Sequence, residues 1–126
     1  ALSMRILVID DEEEVKRLFE QRFRRERRKG QVEFEFALSG EEALKYLEEN
    51  GDDDVTLAIS DINMPGMGGL EMLRVMKEKY NSLRVFMVTA YDDQERRDRA
   101  MAFGATEYLT KPIDFYNLKE KILSDA

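Results

Sequence analysis

The stretch V-T-L-A-I-S-D-I-N-M-P-G-M-G-G-L-E-M-L-R-V-M-K-E-K-Y, Val55–Tyr80, decides the fold. Val55–Ile59 is a short apolar run, the pattern of a strand buried on both faces. Pro65, Gly66, Gly68 and Gly69 punctuate a loop. Leu70, Leu73, Met76 and Tyr80 then recur at helical spacing. A buried strand, a loop and an amphipathic helix make one β-α unit.

The rest of the chain repeats that unit. Arg5–Ile9 reads as a buried strand, and Val15, Leu18, Phe19 and Phe23 mark a helix after it. Val32–Ala37 alternates apolar and acidic residues, as a half-exposed edge strand does. Ser39 and Glu42 form a capping box ahead of Ala43, Leu44 and Leu47. Arg84–Val88 is a fourth strand. Asp92–Phe103 is a thinly apolar helix that Gly104 stops. Glu107–Thr110 is a brief fifth strand, and Asp114 caps a last helix bearing Phe115, Leu118 and Ile122. Five β-α units predict an α/β fold: a doubly wound, five-stranded parallel sheet joined by right-handed crossovers.

The 126 residues suffice for one domain and one core. Ala1–Ser3 precede Met4 and read as a cloning scar, which leaves a domain spanning 4–124. The net charge of −7 disfavours direct nucleic acid or anionic membrane binding. No apolar stretch approaches the roughly 20 residues of a membrane span. The sequence contains no His and no Cys. Ser-His-Asp and Cys-His catalysis, imidazole or thiolate zinc and disulfides are therefore excluded. Any metal is a hard cation held by oxygen.

In open parallel sheets, ligands bind outside the carboxyl ends of the strands. Those ends carry Asp10-Asp11, Ser60-Asp61, Thr89-Ala90 and Thr110-Lys111-Pro112. Crowded carboxylates raise one another's pKa, and a divalent cation relieves the repulsion. A small oxygen cluster with an open side suits Mg²⁺. Lys111 offsets charge or meets an anion, and Thr89 can donate one hydrogen bond to it. A carboxylate so placed can attack phosphorus and give an aspartyl phosphate.

With V-I-D-D-E at Val8–Glu12, S-D-I-N-M-P-G-M-G-G at Ser60–Gly69, V-T-A-Y at Val88–Tyr91 and Y-L-T-K-P at Tyr108–Pro112, the chain resembles the receiver domain of two-component response regulators over Met4–Ser124. Each motif is weak alone; all four in order at strand ends are specific. The resemblance implies the flavodoxin-like strand order 2-1-3-4-5, that Asp61 is the phosphoacceptor, and that Lys111 pairs with the phosphoryl group while Thr89 hydrogen-bonds to it. It implies Mg²⁺ bound by Asp11, Asp10, Asp61 and the backbone carbonyl of Asn63. Tyr108 matches an aromatic switch whose ring turns inward when Thr89 moves. Lys111-Pro112 matches a peptide bond that is usually cis in the family.

The resemblance further implies a phosphohistidine donor on a sensor histidine kinase or histidine phosphotransfer protein, an output domain or effector, a homodimer, and a cytoplasmic location. Asn63 and Tyr91, two residues after Asp61 and Thr89, would modulate the phosphoryl lifetime, Tyr91 by impeding water. Gly68 stands where many receivers carry a polar residue, which loosens the loop. Such a domain catalyses its own phosphorylation and dephosphorylation and turns over no other substrate. The sharpest consequence is a conformational change at the face formed by the Asp92–Phe103 helix, the fifth strand and the last helix (α4-β5-α5 in the family's usual layout).

Plainer readings stand beside these. Asp10-Asp11 is also a polar strand end leading into a cap, and P-G-M-G-G is turn chemistry anywhere. Tyr108 is also a packing residue, and Met64 is either core or site entrance. The basic block Arg22–Lys29 reads as a solvated helix face, the acidic Glu48–Asp54 as a solvated loop. Two other functions compete: a degenerate receiver that only binds partners, and an aspartyl-phosphate phosphohydrolase. The second needs an acid/base Asp where Asn63 stands.

Overall fold

The structure is a computed structural model and describes residues 3–51, 54–91 and 93–124, with only the backbone of Ser124. Ala1 and Leu2, which the sequence reading set aside, Asp52 and Asp53 of the acidic block, and Asp92 lie outside those residues. The elements are β1 (Met4–Ile9), α1 (Glu14–Arg22), α2 (Arg24–Arg28), β2 (Val32–Ala37), α3 (Gly40–Asn50), β3 (Leu57–Asp61), α4 (Gly69–Lys79), β4 (Arg84–Thr89), α5 (Gln94–Ala102), β5 (Glu107–Thr110) and α6 (Phe115–Ser124).

All strand pairs are parallel, in the order β2-β1-β3-β4-β5. Successive side chains of a strand point to opposite faces, so each strand feeds two cores. Leu7, Ile9, Ala58, Val85 and Met87 meet Leu47, Met72, Leu73, Met76 and Ala100 of α3, α4 and α5. Ile6, Val8, Leu57, Ile59, Phe86 and Val88 meet Phe19, Phe115, Leu118 and Ile122 of α1 and α6. That is the doubly wound arrangement expected from the alternation. No helix of the described residues is long and apolar enough to cross a membrane.

Two expectations are refined. The third strand runs Leu57–Asp61 rather than Val55–Ile59, because its ladder with β1 opens at Leu57 opposite Ile6 and its ladder with β4 extends to Asp61 opposite Val88. The first helix breaks at Phe23 (φ −106°, ψ 20°) and resumes as the short basic α2. Phe23 is buried there, with its ring 5.1 Å from Phe34 and 6.1 Å from Phe115. No residue of α2 is buried. The basic block is thus largely a solvated face, tied down where Glu26 meets Lys119 at 3.1 Å.

The caps follow the sequence. Ser39 Oγ accepts from the Glu42 N–H, and Asp114 Oδ1 accepts from the Asn117 N–H. Asp93 caps α5. Gly104 ends that helical segment at φ 105°, a left-handed conformation that side chains disfavour. As its composition suggests, α5 is thinly anchored, with Ala100 its buried residue.

Candidate functional site

Strand order reverses between β2-β1 and β3-β4, so the crevice falls where β1 and β3 lie side by side. The pairing of Ile9 with Ser60 sets Asp10 beside Asp61, and Thr89 pairs with Thr110 just ahead of Lys111. The predicted residues therefore converge. Asp10, Asp11 and Asp61 each offer a carboxylate oxygen, all within 4.8 Å of one another. Asp10 and Asp61 are buried and Asp11 is exposed, so the cluster opens to solvent on one side. Three hard oxygen donors with an open side fit a small divalent cation that keeps part of its water shell.

Lys111 closes the other side. Its Nζ donates to Asp61 Oδ2 at 3.0 Å and lies 3.6 Å from Asp10 Oδ2. Backbone donors take the remaining carboxylate oxygens: the Glu12 N–H reaches Asp10 Oδ1 at 2.9 Å, and the Asn63 N–H reaches Asp61 Oδ1 at 3.1 Å. The Lys111-Pro112 peptide is cis, as expected, and the Lys111 N–H donates to the Thr89 carbonyl at 2.7 Å.

The expected repulsion between carboxylates is present but is not the largest effect. The Asp10 carboxyl is pushed up chiefly by burial; the Glu12 hydrogen bond and Lys111 pull it down, and the neighbouring Asp61 charge adds a smaller push. Desolvation, not mutual repulsion, is the leading cause. Burial pulls the Lys111 ammonium down, but its hydrogen bond to Asp61 and the charges of Asp10 and Asp61 outweigh that and hold it above the usual lysine range.

Thr89 is fully buried, and its Oγ1 accepts from the Tyr91 N–H at 3.1 Å. Tyr108 is buried, with its hydroxyl 3.5 Å from the Tyr91 carbonyl. Tyr91 itself is 63% exposed. Met64 packs in the core on the α3–α5 side.

Sequence reasoning missed three supports of Asp61. The buried Ser60 hydroxyl donates to the Asp61 carbonyl at 3.0 Å. Gly69 packs so closely that a Cβ there would lie 2.4 Å from that carbonyl oxygen. Glu41 reaches from α3 to the Met67 N–H at 3.4 Å, bracing the loop after β3. The Gly68-Gly69 doublet hinted at close approach; nothing local marks Ser60 or Glu41.

The response regulator receiver domain family matches residues 6–123 of the chain. The chain is similar to the response regulator RppA of Synechocystis, with 36% identity over 110 residues, 87% of this chain and 45% of that protein. It is also similar to a chemotaxis protein CheY homolog of Campylobacter jejuni, with 32% identity over 94% of this chain and 89% of that protein. It spans only 22% of a cyclic di-GMP phosphodiesterase of Thermotoga maritima and 20% of the response regulator protein FleR of Pseudomonas aeruginosa, and about half of the heme response regulator HssR of staphylococci. Among solved structures, it superposes on the response regulator TrrA of Thermotoga maritima, solved in complex with Mg(2+)-BeF. The TM-score is 0.79 at 35% identity, covering 94% of this chain and 96% of that one. With this fold, this cluster of strand-end residues and these relatives, the chain belongs to the response regulator receiver domain family.

Proposed function

We propose that this receiver domain, residues 4–124, is a phosphorylation-controlled switch whose acceptor is Asp61. The observation that carries the reading is the convergence of Asp61, Asp10, Asp11 and Lys111 within one charged cluster. The Asp61 carboxylate attacks the phosphorus of a phosphohistidine on a partner kinase or phosphotransfer protein. An O–P bond forms, the P–N bond breaks, and the imidazole leaves with the bonding pair and takes a proton. Water later attacks the same phosphorus, releasing inorganic phosphate and the carboxylate.

The side chains of Asp10, Asp11 and Asp61 and the carbonyl of Asn63 would hold Mg²⁺, which neutralises charge on the phosphoryl oxygens when bound. Lys111, already hydrogen-bonded to Asp61, shifts to the incoming phosphoryl group and anchors it. The Thr89 hydroxyl then exchanges its Tyr91 contact for a phosphoryl oxygen, and α5, β5 and α6 respond as a two-state face. Output passes to an effector or an attached domain, or through a homodimer, in the cytoplasm where the phosphodonor resides.

Treatment with acetyl phosphate, or with beryllofluoride, in the presence of Mg²⁺ tests the reading. The wild type gains a phosphoryl mass or a bound-fluoride signal, and Asp61→Asn gains neither. No Mg²⁺-dependent modification of the wild type would sink it, and would leave the domain as an interaction module. A phosphohydrolase is disfavoured because Asn63 cannot act as a general acid.

A further inference from the structure

Of the residues of α5, one, Ala100, is buried. It also carries three arginines laid over aromatic rings. Arg96 lies 5.8 Å from the ring centroid of Tyr91, Arg99 lies 5.9 Å from that of Phe103, and Arg97 lies 4.7 Å from that of Tyr108. Tyr91 and Phe103 flank α5 in the chain, so two of these pairs are local. Arg97 instead reaches β5, at the shortest of the three distances. It stands one turn before Ala100 and so shares its sheet-facing side. A guanidinium over the face of a buried ring is attracted by the ring's negative charge distribution, more strongly where water is partly excluded.

The ring under Arg97 leads back to the acceptor. The Tyr108 hydroxyl approaches the Tyr91 carbonyl, and the Tyr91 N–H donates to Thr89 at the end of β4. We infer that Arg97 is a positioning residue: its guanidinium holds the Tyr108 ring in its buried place and so couples α5 to the phosphorylation state of Asp61. The inference rests on the phosphoacceptor reading above. A ring that swings outward must slide from beneath the guanidinium, on a helix whose one buried residue is Ala100. A state with the ring buried and a phosphoryl group on Asp61 is thus favoured by Arg97, and by linkage Arg97 strengthens binding of a phosphoryl mimic.

The experiment measures beryllofluoride affinity with Mg²⁺ by ¹⁹F NMR and follows the Tyr108 ring resonances in aromatic ¹³C spectra. Arg97→Ala is expected to weaken beryllofluoride binding by roughly 3- to 10-fold, the scale of a partly desolvated cation–π pair. It also moves the Tyr108 resonances in the unliganded protein. Arg97→Lys recovers part of the loss, Tyr108→Phe retains the stack, and in a Tyr108→Ala background Arg97→Ala adds nothing. Equal affinity of wild type and Arg97→Ala, with the ring resonances unmoved, overturns the inference. An equal loss in the Tyr108→Ala background overturns it too, since Arg97 then acts by another route. If the wild type fails to bind the mimic, the phosphoacceptor reading falls and the coupling with it; if it binds and the variant matches it, the coupling alone falls.

Discussion

Lys111 donates to Asp61 Oδ2 across 3.0 Å while standing 3.6 Å from Asp10, so one ammonium joins the ends of β1 and β3. The lysine is carried by the turn after β5, the strand at the far edge of the sheet. Only a long, flexible cationic side chain spans that distance, and it can follow Asp61 to a phosphoryl oxygen without moving the backbone.

Removing that cation is expected to slow phosphoryl transfer far more than it unfolds the protein. Lys111→Ala should lower the rate of Asp61 modification by acetyl phosphate about 10²-fold, the scale of losing one charge-stabilising donor. Mass spectrometry over time gives the rate, and circular dichroism checks the fold. A rate within a few-fold of wild type would remove Lys111 from the machinery.

Asp10 sets a pH dependence of stability. Its carboxyl lies above the ordinary value in the folded protein, mainly through burial. The native state therefore holds that proton more tightly than the unfolded chain does. This contribution is fully present below the unfolded pKa of about 3.9 and is lost as pH rises through the folded value. At neutral pH, without a cation, the buried charge opposes folding. Asp10→Asn, which keeps an acceptor for the Glu12 N–H, should stabilise the metal-free protein at pH 7 by about 0.5–2 kcal/mol, a common range for stabilising substitutions. The gain should shrink toward zero near pH 3. Thermal melts at both pH values decide; a gain independent of pH would point to a different cause.

The two glycines that open α4 are expected to respond in opposite directions. At Gly69 an added Cβ would stand 2.4 Å from the Asp61 carbonyl oxygen and 2.6 Å from Ile62 Cα, both backbone atoms. Gly69→Ala should cost about 1–3 kcal/mol, as overpacking does, and slow phosphorylation by displacing Asp61. At Gly68, the N-cap, nothing lies within 4 Å of an added Cβ and no side chain caps the helix. Gly68→Asp supplies a cap and removes freedom from the unfolded chain, for a gain of about 0.4–1 kcal/mol. Chemical denaturation of the two variants measures both; a neutral Gly69→Ala would show that α4 can retreat.

Under the proposed phosphorylation of Asp61, Tyr91 is a candidate control of the phosphoryl lifetime. Its ring projects to solvent with Arg96 over it, two residues beyond Thr89. If that bulk obstructs the attacking water, Tyr91→Ala should shorten the half-life of the aspartyl phosphate several-fold. Loss of radiolabelled phosphoryl gives the rate. An unchanged or longer half-life counts against the obstruction.

The alternation of β and α patterns is local, written in side-chain periods of two and of about three and a half. It yielded the five strands, their parallel pairing and the strand ends that carry Asp10, Asp11, Asp61, Thr89 and Lys111. The sheet order came from the resemblance to receiver domains, since crossover handedness alone leaves more than one doubly wound order open. The tertiary structure alone decided that burial governs Asp10, that Ser60 and Gly69 support the Asp61 backbone, and that Arg97 covers Tyr108. It also moved β3 two residues onward and broke the first helix at Phe23. These are contacts between elements distant in the chain, set by register and by side-chain reach across the sheet. No local period encodes them.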